Sequence, residues 1–164
     1  MNRFEFYSPT KVIFGKDVEQ QVGAEIKKWG GSKVLVHYGG SSAKKSGLLD
    51  LVETSLKNAN LDYVMLGGVQ PNPRLSLVKE GIELCRKEGV DFILGVGGGS
   101  AIDSAKAIAL GVPYEGDVWD IYEGKYTPTT ALPHCNILTL AATGTETSSS
   151  SVITNEEGDL KRGY

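Results

Sequence analysis

The sequence predicts an α/β fold, a Rossmann-like parallel sheet with helices on both faces and a β-hairpin at the N-terminus. Three observations carry this. Short apolar runs at 34–38, 62–66 and 92–96 alternate with stretches whose apolar residues recur every three or four positions. Glycines punctuate nearly every junction, at Gly30-Gly31, Gly39-Gly40, Gly67-Gly68 and Gly89. The run Asp91-Phe92-Ile93-Leu94-Gly95-Val96 passes through Gly97-Gly98-Gly99-Ser100 straight into an alanine-rich stretch, 101–110. Strands alternating with helices belong to parallel sheets buried on both sides.

The elements follow in order. Residues 4–7 and 11–14 flank Ser8-Pro9-Thr10, the pattern of two short strands around a turn. Val18, Val22 and Ile26 mark one face of a helix over 17–28. A strand over 34–38 follows, then a helix marked by Leu48, Leu49, Val52 and Leu56, and a strand over 62–66. Leu75, Val78, Ile82 and Cys85 mark a third helix, ended by Gly89. After the strand from Phe92 and the helix from Ala101, a looser stretch with Pro113, Trp119 and Pro128 leads to a strand over 136–140. Residues 152–154 and the turn 155–159 suggest a second hairpin.

Bulk properties narrow the function classes. The chain has 164 residues, 40% hydrophobic and 23% charged, which suits one globular domain and is short for a two-domain enzyme. A net charge of −3 with interspersed signs gives no electrostatic case for nucleic acid or an anionic membrane. No apolar run reaches membrane-spanning length, and the polar start is no secretory signal. Cys85 and Cys135 form no CxxC pair, and a reduced cytoplasmic setting is the expectation.

The glycine turn at 97–100 is the first candidate site. Glycine lacks the Cβ that would hold a phosphate away from the backbone, and the first N–H groups of the following helix favour an anion. A structural reading stands beside it, because Ser100-Ala101-Ile102-Asp103 has capping-box spacing with Ser100 as N-cap. The third glycine of the dinucleotide fingerprint is missing. At the second turn, Gly39-Gly40-Ser41-Ser42, no acid appears between Lys33 and Asp50. An acid in that region would bind a ribose 2′-hydroxyl and repel a 2′-phosphate, so its absence favours NADP(H) over NAD(H). The alternative there is an ordinary strand-ending turn. The hydroxyl-rich run 143–151 could grip a cofactor or serve as a polar connection. His37 and His134 stand alone, no cluster has metal-ligand spacing, and Cys85, Trp29 and Trp119 read as packing residues.

Four stretches in order, 6–15, Pro71-Asn72-Pro73, 97–109 and 142–146, resemble the N-terminal nucleotide-binding domain of the iron-containing (group III) alcohol dehydrogenases. The resemblance covers essentially the whole chain and is strongest to the NADP(H)-dependent butanol dehydrogenase and aldehyde reductase branch. It implies reversible hydride transfer between NADP(H) and a primary alcohol or aldehyde such as butanol, in a homodimer. Gly97, Gly98, Gly99 and Ser100 would hold the pyrophosphate. Gly39, Gly40 and Ser41 would surround the adenosine 2′-phosphate, and Asn72 would lie by the ribose. Asp103 would sit nearer the nicotinamide, with Thr143, Thr145, Ser150 and Lys161 lining the groove. Ala141-Ala142 stand where relatives often carry two threonines. The family's metal ligands, for Fe2+ or Zn2+, come later than Lys161, so the resemblance implies a fragment that binds cofactor but carries no metal and no catalytic residue, the helical C-terminal domain being absent. Glycerol dehydrogenase or dehydroquinate synthase relatives, and a stand-alone nucleotide-binding module, are the alternatives.

Overall fold

The computed structural model describes residues 3–5, 7–40, 43 and 45–164. Four parallel strands, β1 (Lys33–Tyr38), β2 (Asp62–Leu66), β3 (Phe92–Gly97) and β4 (His134–Leu138), form a sheet in the order β2-β1-β3-β4. The α-helices whose bounds lie wholly within the described residues are α1 (Val22–Lys28), α2 (Leu48–Asn58), α3 (Leu75–Glu88), α4 (Gly99–Gly111) and the one-turn α5 (Trp119–Tyr122). An antiparallel pair, β5 (Val152–Asn155) and β6 (Leu160–Gly163), closes the described chain.

The sheet is clothed on both faces, as the alternating pattern requires. Val34, Val36, Tyr38, Phe92, Leu94 and Val96 pack with α1 and α2 in one cluster. Leu35 and Ile93 point the other way, into a cluster with α3, α4 and α5. There α3 and α4 interlock through glycines. A Cβ on Gly81 would lie 2.4 Å from Ile108 Cδ1, and one on Gly111 would lie 2.2 Å from Ile82 Cδ1. Each isoleucine fills the gap left by the opposing glycine, and burying such a side chain stabilises by about 1.5–3 kcal/mol.

His37 projects from β1 into this second layer and is fully buried. Its Nδ1 donates to the Leu66 carbonyl at 2.9 Å, which fixes the tautomer and leaves Nε2 to accept from Ser104 Oγ at 2.8 Å. Burial pushes its pKa down to about 4.

Several expectations need correction. No strand forms among the described residues of 3–14, so the N-terminal β-hairpin is absent there. Phe4, Tyr7 and Phe14 are exposed, and a two-stranded hairpin with no layer beneath it has too little burial to persist. The helix over 17–28 is split into a 3₁₀ turn, Val18–Gln21, and α1. Strand β4 lies two residues earlier than predicted, ending at Leu138 while Leu140 faces solvent. The predicted capping box does not form. Gly98 takes the N-cap position, so Ser100 lies inside the first turn. Trp29 is 64% exposed rather than packed. No described helix is long and apolar enough to cross a membrane.

Candidate dinucleotide-binding site

The sheet order places a switch point between β1 and β3. From β1 the chain steps outward to β2, then returns to the other side of β1 for β3 and continues to β4. Crossovers diverging from one pair of strands leave a crevice at their carboxyl ends, where ligands of open α/β sheets bind. The tips there are Gly39-Gly40 and Gly97-Gly98. A Cβ built on Gly97 would lie 3.9 Å from the Gly39 nitrogen, so the two turns face each other closely.

Why glycine at 97 is a matter of geometry. Its φ is +150°, and a Cβ would approach Ala101 Cβ to 2.8 Å. Gly98 is the opposite case, with its nearest neighbour to a built Cβ, Leu140 Cβ, 4.0 Å away. Space is open above it. Among the described residues the amides of Gly98, Gly99 and Ser100 donate to no protein acceptor, while Ala101 and Ile102 both bond back to the Gly98 carbonyl. Three unpaired N–H groups at the head of α4 therefore face the crevice end of the sheet.

Beside this turn lies a cavity of about 320 Å³. Asn72, Ser100, Asp103, Thr143, Thr145, Ser150 and Lys161, all anticipated from sequence, line it. Gly99 ties the turn to the cavity, since a Cβ there would come 2.7 Å from Thr143 Oγ1. Gly39, Gly40, Gly97 and Gly98 belong to the strand tips rather than the cavity wall, and Ser41 lies outside the described residues. Asn72 adopts a left-handed conformation, φ 59°, and its Oδ1 accepts from Lys161 Nζ at 2.8 Å across the cavity.

The cavity wall is built by side chains of α4. Asp103 Oδ1 accepts from Thr145 Oγ1 and Oδ2 accepts from the Val152 amide at 3.1 Å, so one carboxylate holds both ends of the hydroxyl-rich segment. One turn on, buried Lys106 donates to the carbonyls of Thr145, Ser148 and Ser150. The hairpin supplies the opposite rim. Glu156, in the β5–β6 turn, accepts from the amide and hydroxyl of Ser76 at the start of α3, where Arg74 offers no side-chain cap. Tyr122 Oη and Ser151 Oγ share a 2.6 Å hydrogen bond behind the hairpin.

Ser148 and Ser151 also line the cavity and enter the sequence reading only as members of the hydroxyl-rich run 143–151, while the role of Lys106 is missed there. A lysine in an alanine-rich helix reads as solvated, and only the pairing Asp103-x-x-Lys106 on an otherwise apolar stretch could have flagged it. Nucleotide phosphates fit this site: bare amides, an open glycine, adjacent hydroxyls and the Lys161 ammonium are the donors an anionic, hydroxyl-bearing ligand needs. A divalent metal does not. No group of three or more His, Cys, Asp or Glu side chains able to hold one occurs among the described residues.

Residues 9–164 match the family model described as iron-containing alcohol dehydrogenase. The chain is 52% identical over 161 residues to the probable NADH-dependent butanol dehydrogenase 2 of Bacillus subtilis (strain 168), covering 98% of this chain and 41% of that protein. It is 35% identical over 167 residues to the NADPH-dependent aldehyde reductase YqhD of Escherichia coli (strain K12), covering 100% of this chain and 42% of that one. The crystal structure of NADH-dependent butanol dehydrogenase A from Thermotoga maritima superposes with a TM-score of 0.98 at 50% identity, over 99% of this chain and 41% of that one. The chain thus spans about two fifths of the length of the curated relatives it matches. On the strength of that match across nearly all its residues, this chain belongs to the iron-containing alcohol dehydrogenase family.

Proposed function

We propose that this chain is the nicotinamide-dinucleotide-binding part of a cytoplasmic dehydrogenase that interconverts a primary alcohol, such as butanol, and its aldehyde. One observation carries the proposal: three unpaired amides at Gly98, Gly99 and Ser100 stand where the sheet's switch point opens. These amides hold the pyrophosphate, and Gly39 and Gly40 lie by the adenosine end. Asn72 and Lys161 close over the ribose. Thr143, Thr145 and Ser150 present oxygen atoms to the nicotinamide half. Asp103 acts on that half through Thr145 and Val152, because both its oxygens are already engaged by them.

A bound nicotinamide supplies the hydride acceptor or donor; the chain's own contribution is orientation. A fixed carboxylate and a buried ammonium hold the hydroxyl segment rigid, so the ring has one resting place rather than several. Lewis-acid chemistry is not assigned to the described residues, which assemble no ligand set. In this reading Fe2+ or Zn2+ is held by the complete enzyme, which works as a homodimer.

The choice of dinucleotide rests on β1. Without an acid between Lys33 and Asp50, nothing there repels a 2′-phosphate, and we take NADP(H) as preferred. A second reading, NAD(H), is favoured by the names of the Bacillus and Thermotoga relatives, both NADH-dependent. Fluorescence titration of the chain with NADPH and NADH decides. Tighter binding of NADPH supports the first reading, equal or weaker binding removes the argument from Gly39-Gly40, and no binding to either sinks the site as a whole.

A further inference from the structure

We propose that Lys106 is a positioning residue whose buried ammonium nucleates the cavity-lining segment 145–150, doing from within α4 what a bound cation would do in a carbonyl cage. The coordination is dense. Nζ donates to the carbonyls of Thr145, Ser148 and Ser150, the last two at 2.8 Å each, and reaches Thr145 Oγ1 at 2.8 Å and Ser148 Oγ at 3.4 Å. An ammonium has three protons and no acceptor, so all its donors are spent on this one segment. The residue is 4% exposed, and burial pulls its pKa down while the nearby charges of Asp103 and Glu146 oppose that shift.

Local donors to these oxygens are few and long: the Ser148 amide donates to the Thr145 carbonyl at 3.3 Å and Ser148 Oγ to the Ser150 carbonyl at 3.3 Å. The segment contains a single 3₁₀ turn, Thr145–Thr147, and no sheet ladder, so the carbonyls of Thr145, Ser148 and Ser150 converge with few local alternatives. Three carbonyls aimed at one point repel each other unless a positive charge sits there. Asp103 completes the arrangement by fixing Thr145 and Val152, the two flanks of the same segment. The hydroxyls of Thr145, Ser148 and Ser150 therefore stand around the cavity before any ligand arrives.

The consequence for binding rests on the dinucleotide reading; the consequence for the segment does not. In the full chain, Lys106→Met keeps an unbranched stem, one heavy atom shorter, and removes the charge. Amide hydrogen exchange across 145–152 should quicken by about tenfold to a hundredfold, the weight of a hydrogen bond to a charged group, while β1 and β3 keep their protection. Lys106→Ala should behave likewise and should recover its protection in n-propylammonium, which replaces the missing stem and charge, but not in sodium chloride of equal ionic strength. If Lys106→Met does not fold, Lys106→Ala folding only with n-propylammonium gives the same answer. Unchanged exchange in the variants, or no difference between n-propylammonium and sodium, overturns the proposal. NADPH titration of the same samples separates the two ideas: if the unaltered chain binds no dinucleotide, the functional reading fails while exchange still decides the role of Lys106.

Discussion

His37 illustrates how a single side chain can set a pH dependence. Held neutral by burial and by its bonds to Leu66 and Ser104, it has a pKa of about 4 against an ordinary 6.5. The unfolded chain therefore binds the extra proton first. The stability this residue contributes is present in full above pH 6.5 and is lost as pH falls from 6.5 towards 4, by about 3 kcal/mol at the lower end. Carboxylates add acid sensitivity of their own, so the test is a difference. Urea unfolding of the unaltered chain and of His37→Leu between pH 7 and pH 4 should give curves that converge on acidification. Parallel curves would show that His37 titrates normally. The sequence marks this histidine only as isolated, because neither Leu66 nor Ser104 is near it along the chain.

At the scale of an element, the β3–α4 turn separates backbone necessity from ligand clearance. Gly97→Ala forces a side chain into φ +150° and against Ala101, and should cost about 1–3 kcal/mol of stability. Gly98→Ala meets nothing closer than 4.0 Å, so stability should stay within about 0.5 kcal/mol. Its dinucleotide affinity should nonetheless drop by about tenfold or more, because the methyl group occupies the space above the bare amides. Thermal unfolding and titration of both variants check the pair; unimpaired binding by Gly98→Ala would place the phosphates elsewhere. Elements like this were legible because their signals are local. The bounds of β2 and the start and end of α3 follow directly from apolar spacing and the glycines beside them. The capping box was misread because Ser100 and Gly98 compete for one position, and only backbone geometry awards it to Gly98. Helix α5 escaped notice since one turn has no period to detect; Asp117 fixes it by accepting from the Trp119 amide at 2.9 Å.

At the scale of the whole molecule, the sequence predicts the two-faced parallel sheet and the hairpin after residue 152, but not the strand order or the course of the N-terminal segment. Alternation of strand and helix dictates a parallel sheet, yet strand order is set by long-range packing that no local pattern records. The N-terminal segment is the clearest miss. Its alternating apolar residues look like strands, and Phe4, Tyr7, Val12 and Phe14 lie exposed instead. Such a surface is suited to association, in keeping with the proposed homodimer. Removing residues 3–14 should leave the sheet's circular dichroism intact while lowering the mass found by analytical ultracentrifugation; an unchanged mass would assign association to another surface.

The bond from Glu156 to Ser76 has a mechanical corollary. The carboxylate completes a helix to which it does not belong, and that helix begins directly after the Pro71-Asn72-Pro73 bend. Hairpin and bend are thereby fastened into one rim, tied a second time by the Thr154 amide donating to the Pro73 carbonyl at 2.8 Å, and Asn72 and Lys161 meet on that border of the groove.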